Sequence, residues 1–341
     1  MRCLTLAGEL KEKGADVFFI TRIMSGDIFN LIERNGFRVY LLPCKEALVD
    51  IKKDGSRVNR LGVNWETDAE QTIEFLCREH PIDWLIVDHY VLDHQWEVQM
   101  RSFVRKIIVI DDLADRSHDC DFLIDQNLYE GMGTRYEGLI PEYCRKLMGP
   151  RYTLLRPEFI KARSNLRERD GNVRRILIFF GGSDLNNETE KALDAVWLLN
   201  SHDIVVDVIV GALNPHKEEI ERLCSTRPNV NYYCQTENMA EFMVKADLAI
   251  SAGGSTTWER CCVGLPAIII AIAENQINIS KALSNAGAGI YLGTSKQVTK
   301  EMIAQSIANV MKSSEVMINI SKRARSLVDG NGVSRVITCM M

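Results

Sequence analysis

Two short segments of this chain combine glycines with hydroxyl side chains directly after an apolar strand pattern. In one of them, Gly253, Gly254, Ser255 and Thr256 follow the apolar run 248–251 and open a helical pattern. Glycines let a backbone approach an anion closely, and the first amides of a helix have no intrahelical acceptor. The spacing predicts a phosphate-binding turn, although a turn built only for chain reversal is also compatible with one such segment.

The other segment repeats this arrangement earlier in the chain. Gly181, Gly182, Ser183 and Asp184 follow the apolar run 175–180. Open parallel sheets bind ligands at the carboxyl ends of their strands, so both turns are expected at that edge. Two anion-binding turns in one half of the chain predict a ligand with a diphosphate. Ala252, directly before Gly253, is also expected among the residues that hold it.

Further polar residues stand at predicted strand ends. Asp88, His89 and Tyr90 end an apolar strand, where they could contact a sugar, orient a water molecule or supply a general base. The alternative is that Asp88 caps the next helix and His89 is a satisfied core histidine. The remaining candidates are Asn127 at another strand end, Arg156 at a domain junction, and Asn275 with Gln276 at a helix start. Arg156 could pair with a diphosphate or with a carboxylate, and the amides could be ordinary helix-start residues.

A metal site is not predicted. The acidic and histidine residues that are close in sequence show no ligand spacing typical of a metal centre; they are Asp88, His89, Asp93, His94, His118 and Asp121. No cofactor is expected either.

Composition limits the class of protein. A length of 341 residues with 46% hydrophobic residues predicts two globular domains. The net charge of −5 without a basic stripe argues against a nucleic-acid partner. Ten cysteines without a C-x-x-C spacing, and no signal peptide, predict free thiols and a cytoplasmic location. No apolar run is long enough to predict stable membrane insertion.

Apolar runs alternate with amphipathic stretches throughout, which predicts an α/β fold with parallel sheets. Strands are predicted at 17–21, 39–42, 84–88, 106–111, 122–124, 175–180, 205–210, 231–234, 248–251, 267–271 and 290–292. Helices are predicted near 1–14, 26–35, 67–79, 93–103, 187–200, 217–226, 239–246, 256–263, 275–285, 300–312 and 315–328. We expect a first domain at 1–155, a charged linker at 156–172 and a second domain at 173–341, whose last helix packs back on the first.

The chain opens with a helix rather than a strand. A doubly wound domain normally begins with a strand, and the turn after it is a prime ligand site. We therefore expect that one strand and one turn are missing before residue 1.

The sequence resembles the UDP-2,4-diacetamido-2,4,6-trideoxy-β-L-altropyranose hydrolases of pseudaminic acid synthesis and the related spore-coat polysaccharide biosynthesis proteins. More distantly, it is similar to the UDP-GlcNAc transferase of peptidoglycan synthesis. The resemblance covers essentially the whole chain, and its main motifs are Arg2-Cys3-Leu4, Asp88-His89-Tyr90, Asp125-Gln126-Asn127, Gly149-Pro150-Arg151-Tyr152, Leu155-Arg156-Pro157, Gly181-Gly182-Ser183-Asp184, Ala252-Gly253-Gly254-Ser255 with Glu259, and Glu274-Asn275-Gln276.

This resemblance implies a GT-B-like fold, in which two Rossmann-type doubly wound domains face a cleft. It implies hydrolysis of a UDP-linked diacetamido sugar at the anomeric carbon, with a small-molecule UDP-sugar as the partner. It also implies that Glu259 accepts hydrogen bonds from the ribose, with a surface glutamate as the alternative. The family's first turn reads G-x-G-H-x-x-R-C, so Arg2 matches its end and the catalytic histidine would precede Met1.

Two alternatives to hydrolysis stay open. A glycosyltransferase on the same scaffold would replace water with an acceptor hydroxyl. The chain could instead be a UDP-sugar binder, because loss of the catalytic base lowers the rate of the chemical step by about 10²–10⁴-fold.

Overall fold

The computed structural model describes residues 1–22, 28–43, 61–79, 81–201 and 203–341. Two compact units divide these residues. The first unit falls within Met1–Asn127, Gly131–Leu154 and Val333–Met341, and the second within Leu128–Glu130 and Leu155–Gly332. Cys44 and the first residues of the helix predicted at 26–35 lie outside the described ranges.

The elements follow one another in the order that the apolar pattern predicts. The strands are β1 (Phe18–Arg22), β2 (Arg38–Leu42), β3 (Ile82–Val87), β4 (Val104–Ile110), β5 (Phe122–Asp125), β6 (Arg145–Met148), β7 (Arg175–Phe179), β8 (Val205–Val210), β9 (Val230–Cys234), β10 (Leu248–Ala252), β11 (Ala267–Ala271) and β12 (Ile290–Thr294). The helices are α1 (Arg2–Glu12), α2 (Ile28–Arg34), α3 (Trp65–Glu79), α4 (His94–Met100), α5 (Pro157–Ser164), α6 (Glu188–Trp197), α7 (Lys217–Ser225), α8 (Met239–Lys245), α9 (Thr256–Cys262), α10 (Asn275–Asn285), α11 (Lys300–Met311), α12 (Ser314–Leu327) and α13 (Gly332–Met340).

The first unit contains two separate parallel sheets. One has two strands, β1 and β2, and the other has four in the order β3-β4-β5-β6. Side chains of β4 alternate between two cores, because Ile107 packs with Trp96 on one face while Ile108 packs with Leu6 of α1 and Val336 of α13 on the other. This burial on both faces explains why the strand reads as a continuous apolar run.

The second unit has one six-stranded parallel sheet in the order β12-β11-β10-β7-β8-β9. Its faces also carry separate cores, since Ile176 and Ile178 of β7 point into one and Leu177 into the other. From β7 the chain first moves outward through β8 and β9, and β10 then returns to the opposite side of β7. The carboxyl ends of β7 and β10 therefore mark the point where the strand order reverses, which is where open α/β sheets bind ligands.

The sequence prediction omitted three elements and described one segment differently. β6 is short, and two of its four residues are exposed and charged, so its apolar pattern is weak. The predicted linker at 156–172 contains α5 and lies in the second unit, whose core buries Phe159 completely. The omitted α13 belongs to the first unit, whereas the predicted bounds placed residues up to 341 in a second domain whose last helix packs back on the first.

Among the described ranges, no helix combines the length and apolar character that a bilayer crossing requires.

Candidate functional site

The two glycine turns lie side by side in the second unit. Ser251 of β10 pairs with Phe179 of β7, and each glycine turn begins within two residues of that pair. Neighbouring parallel strands end at the same sheet edge, so the turns form one surface at the reversal of strand order.

The turn after β10 is held by a side chain from the next strand–helix connection. Oε1 of Gln276 accepts hydrogen bonds from the amides of Gly253 at 3.2 Å and Ile272 at 3.1 Å. A side chain at Gly253 is excluded, since its Cβ would lie 2.2 Å from Oγ of Ser280. Gly253 is therefore fixed by close packing, and its amide is already used.

The next three amides are the ones available to a ligand. In the described part of the chain, the amides of Gly254, Ser255 and Thr256 have no hydrogen-bond acceptor. A Cβ on Gly254 would meet only the Gln276 amide nitrogen, at 3.6 Å, so the space beside this residue is open. Of the four predicted residues of this turn, Gly254, Ser255 and Thr256 have an available amide and Gly253 does not.

The turn after β7 is open as well. Gly181 adopts a φ of +92°, which favours glycine, and a Cβ on either Gly181 or Gly182 would meet nothing within 4 Å. The backbone of Gly182 packs closely on Gly211, because a Cβ built on Gly211 would lie 2.2 Å from the carbonyl oxygen of Gly182. Ser183 is exposed beside these glycines.

Asp184 does not match its predicted role as a ligand contact. Its carboxylate is buried and accepts hydrogen bonds from the amides of Glu188 and Thr189, both at 2.9 Å, and from the Thr189 hydroxyl at 2.6 Å. It therefore fixes the start of α6, where free amides favour a carboxylate.

Two predicted site residues contact each other. Arg156 donates to Glu259 at 3.2 Å and also pairs with Glu158 at 3.1 Å, while its guanidinium lies over the Phe159 ring. Burial raises the pKa of Glu259, and the charge of Arg156 opposes that shift. Arg156 thus pairs with carboxylates, one of the two alternatives considered from the sequence.

A buried arginine beneath the turn was not predicted. Arg260 is 2% exposed and donates to Oγ1 of Thr257 at 3.0 Å and to the carbonyl of Ala252 at 3.5 Å. Burial lowers its pKa to about 10, so it stays charged at neutral pH, and its Nε has no acceptor within the described ranges. No sequence signal distinguishes it from a surface arginine.

Asn275 is exposed at the first residue of α10. Its neighbour Gln276 supports the turn after β10 instead of presenting its oxygen to a ligand.

The first unit contains a separate polar cluster after β3 and β4. Asp88 accepts two hydrogen bonds from Arg2, at 2.6 and 3.0 Å, and one from the thiol of Cys3 at 3.3 Å. Arg2 also pairs with Asp112 at 3.3 Å, and the hydroxyl of Tyr90 lies 3.5 Å from the same carboxylate. Burial alone would raise the pKa of Asp88, but its bonds with Arg2 hold that pKa below the ordinary value.

His89 is also held by its own loop. Its Nδ1 accepts from the amide of Val91 at 3.2 Å, and its carbonyl accepts from Arg116 at 2.9 Å. A neutral imidazole with an accepting Nδ1 carries its proton on Nε2. His89 therefore offers a donor rather than a base in this arrangement.

Asn127 is buried, and its backbone amide donates a hydrogen bond to Oδ1 of Asp125 at 3.0 Å. Burial raises the pKa of Asp125 to about 6. Among the other residues considered for a metal, His118 bonds Glu97, Asp121 pairs with Arg101, and Asp93 caps the start of α4.

Comparison with known structures identifies the architecture. The chain superposes on the Acinetobacter baumannii MurG crystal structure with a TM-score of 0.66 and 15% identity, covering 99% of this chain and 94% of that one. The fold is GT-B-like. This confirms the fold class predicted from the sequence.

Sequence comparisons agree with the GT-B-like fold. Residues 176–332 match the Glycosyltransferase family 28 C-terminal domain. The chain is 29% identical to the spore coat polysaccharide biosynthesis protein SpsG of Bacillus subtilis over 68% of each chain. It is 25% identical to the UDP-2,4-diacetamido-2,4,6-trideoxy-beta-L-altropyranose hydrolase of Campylobacter jejuni, over 65% of this chain and 79% of that protein.

Proposed function

We propose that the second unit binds the UDP portion of a nucleotide sugar. The observation that carries the proposal is the pair of glycine turns at the reversal of strand order, where the amides of Gly254, Ser255 and Thr256 are available. The buried charge of Arg260 lies beneath one turn and favours an anion there. The name of the Campylobacter relative, a hydrolase of a UDP-linked sugar, supports this ligand class.

Glu259 is the proposed ribose contact. Its carboxylate lies in the first turn of α9, one helical turn beyond the glycines, and is held by Arg156. Carboxylate oxygens accept hydrogen bonds from paired hydroxyls, and such charge-assisted bonds contribute about 1.5–3 kcal/mol each.

The proposed reaction is hydrolysis at the anomeric carbon. Water attacks that carbon, the bond from the carbon to the phosphate oxygen breaks, and its electron pair leaves on UDP. A base accepts a proton from the water, and the other proton stays on the free sugar. The turn amides would stabilise the charge that grows on the diphosphate, an effect worth about 10²–10³ in rate per donor.

The three residues predicted as catalytic candidates in the first unit are each engaged in the structure. Asp88 is bound by Arg2, Tyr90 has a pKa raised by burial, and His89 presents a proton. We therefore assign the general base of the proposed reaction to none of these three residues.

A glycosyltransferase is the second candidate, favoured by the family 28 match over residues 176–332. Both reactions break the same bond and differ in the attacking hydroxyl. Incubation of the protein with a UDP-linked diacetamido sugar in H₂¹⁸O separates them. Label in the released sugar is expected for hydrolysis, and UDP release that requires an added acceptor would support transfer.

Titration calorimetry with UDP tests the binding site directly. The Gly254→Val variant fills the open space beside the free amides, and we expect UDP to bind at least about tenfold more weakly. Glu259→Ala is expected to weaken UDP binding by a similar factor through loss of the ribose contact.

Gly133→Val is the matched control, since Gly133 is an exposed glycine of the first unit with equally open surroundings. Unchanged affinity in both Gly254→Val and Glu259→Ala, with the fold intact by circular dichroism, would exclude this site.

A further inference from the structure

Two cysteines of the first unit are in direct contact. Cys120 lies two residues before β5 and Cys144 lies directly before β6, and these two strands pair in parallel. Their sulfur atoms are 3.5 Å apart, and both side chains are buried. Where the strands begin, the amide of Arg145 donates to the carbonyl of Asp121 at 2.9 Å. Both cysteines are free thiols in this structure.

The residues that flank the two thiols are bound to one another across the strands. Arg101 pairs with Asp119 at 2.9 Å and with Asp121 at 2.6 Å, and these two residues are the neighbours of Cys120 in the chain. Tyr143, which precedes the other cysteine, donates its hydroxyl to Asp119 at 2.7 Å. The contact between the thiols is therefore fixed by the surrounding ion pairs and hydrogen bonds.

The geometry of the pair suits a disulfide. Neighbouring strands lie about 4.8 Å apart, within the Cα separation of about 4.4–6.8 Å that disulfides span. The sulfur atoms have to approach by about 1.5 Å, from 3.5 Å to the bond length of about 2.05 Å. Rotation about the two Cα–Cβ bonds moves the sulfur atoms by this much, so the strands can keep their positions.

The two thiols differ in exposure and acidity. Cys120 is completely buried, whereas Cys144 is 9% exposed. A hydrogen bond from the Cys120 thiol lowers the pKa of Cys144, and the same contact together with burial raises the pKa of Cys120. The thiolate is the form that attacks an oxidant, so Cys144 reacts first and Cys120 is positioned to react with the product.

We infer that Cys120 and Cys144 form a modification site, a dithiol that hydrogen peroxide converts to a disulfide in the folded protein. The Cys144 sulfur attacks one peroxide oxygen, the O–O bond breaks, and the other oxygen leaves as water with the thiol proton. The Cys120 sulfur then attacks the resulting sulfenic acid, and its hydroxyl leaves as water with the Cys120 proton. The two thiols lose two electrons, which reduce one peroxide to two water molecules.

The disulfide would constrain a functionally interesting connection of the first unit. It closes a loop whose ends are 24 positions apart and which carries Asp125, Asn127 and Tyr136. Such a cross-link restricts the unfolded chain and thereby favours the folded state. We therefore expect the oxidised protein to resist unfolding more strongly than the reduced protein. The inference does not depend on the proposed function, because the nucleotide site belongs to the second unit.

Mass spectrometry of the reduced 341-residue chain after treatment with hydrogen peroxide tests the inference. Trypsin places the two cysteines in the separate peptides 117–135 and 136–145, which a disulfide keeps joined. We expect this joined pair to form at least about tenfold faster than any other cysteine pair, because the two thiols are already in contact. The oxidised protein should unfold at a higher urea concentration, and dithiothreitol should reverse both changes.

Cys77→Ser is the matched control, because Cys77 is an exposed free cysteine of the same unit. It should form the joined peptides at the wild-type rate, whereas Cys144→Ser should form none and should gain no resistance to urea on oxidation. Peroxide treatment of wild type in concentrated urea should remove the preference for this pair, since unfolding separates the thiols.

The inference would be overturned if the folded wild-type protein joined these peptides no faster than other cysteine pairs. Oxidation of both cysteines to sulfinic acids without a cross-link would overturn it as well. Both measurements use the wild-type chain, so they remain decisive if Cys144→Ser does not fold.

Discussion

At the scale of single residues, Tyr136 shows how the first unit tolerates neighbouring acids. Its buried hydroxyl lies 3.0 Å from Oδ2 of Asp111 and 3.1 Å from Oδ2 of Asp125. One hydroxyl has one proton, so it can donate to only one of these carboxylates. Burial raises the pKa of Asp125 to about 6, so below that pH a proton on Asp125 supplies the second hydrogen bond, whereas above it the carboxylate is paired with Arg135 at 3.1 Å.

This arrangement predicts a pH-dependent contribution to stability. An unfolded aspartate titrates near about pH 4, so the folded protein holds this proton more tightly. The contribution is complete below about pH 4 and is lost as the pH rises through about 6, to a total of about 3 kcal/mol. Asp125→Asn stays neutral, and we expect urea unfolding of this variant to lack that loss between about pH 4 and 6.

Asp83→Asn is the control, because Asp83 is an exposed residue that pairs with Arg105. It should retain the wild-type dependence on pH. If Asp125→Asn also retained the wild-type dependence of stability on pH, the proton responsible would belong to a residue other than Asp125.

At the scale of elements, Gln276 joins two strand–helix connections. One oxygen satisfies the amides of Gly253 after β10 and Ile272 after β11. Gln276→Ala leaves both amides without this acceptor. We expect a loss of about 1–3 kcal/mol in the free energy of unfolding and weaker UDP binding, because the free amides that follow Gly253 lose their fixed position.

The control is Gln305→Ala, which removes an exposed glutamine that bonds Asn309 of the same helix. Its unfolding and UDP affinity should stay close to wild type. A Gln276→Ala protein with wild-type stability and affinity would contradict the role assigned to this side chain.

The same connections show what the sequence could predict about the site. Glycine turns after apolar strands are local patterns, so their positions at the ends of β7 and β10 were predictable. The roles of Gln276, Asp184 and Arg260 depend on which element each side chain reaches after folding. Gln276 contacts a turn 23 residues away, and no local pattern contains that pairing.

At the scale of the whole molecule, the succession of strands and helices along the chain and the α/β class followed from the alternation of apolar runs and amphipathic stretches, whereas the order of the strands within each sheet was not predicted. The final helix α13 was not among the predicted helices, and its partners are distant in sequence. Val336 and Ile337 of α13 are buried against Leu6, Ile108 and other residues of the first unit. The amphipathic pattern predicts that one face of such a helix is buried, but it does not say in which core.

This long-range packing predicts that the end of the chain stabilises its beginning. Ile337 is 1% exposed, so Ile337→Ala should cost about 2–5 kcal/mol, mainly in the first unit. Hydrogen exchange should then accelerate in β4 and β5 and stay unchanged in β7 and β10. Thr338→Ala, at the adjacent exposed position, should leave both sets of strands unchanged. Faster exchange in β7 and β10 with no change in β4 would instead mean that α13 stabilises the second unit.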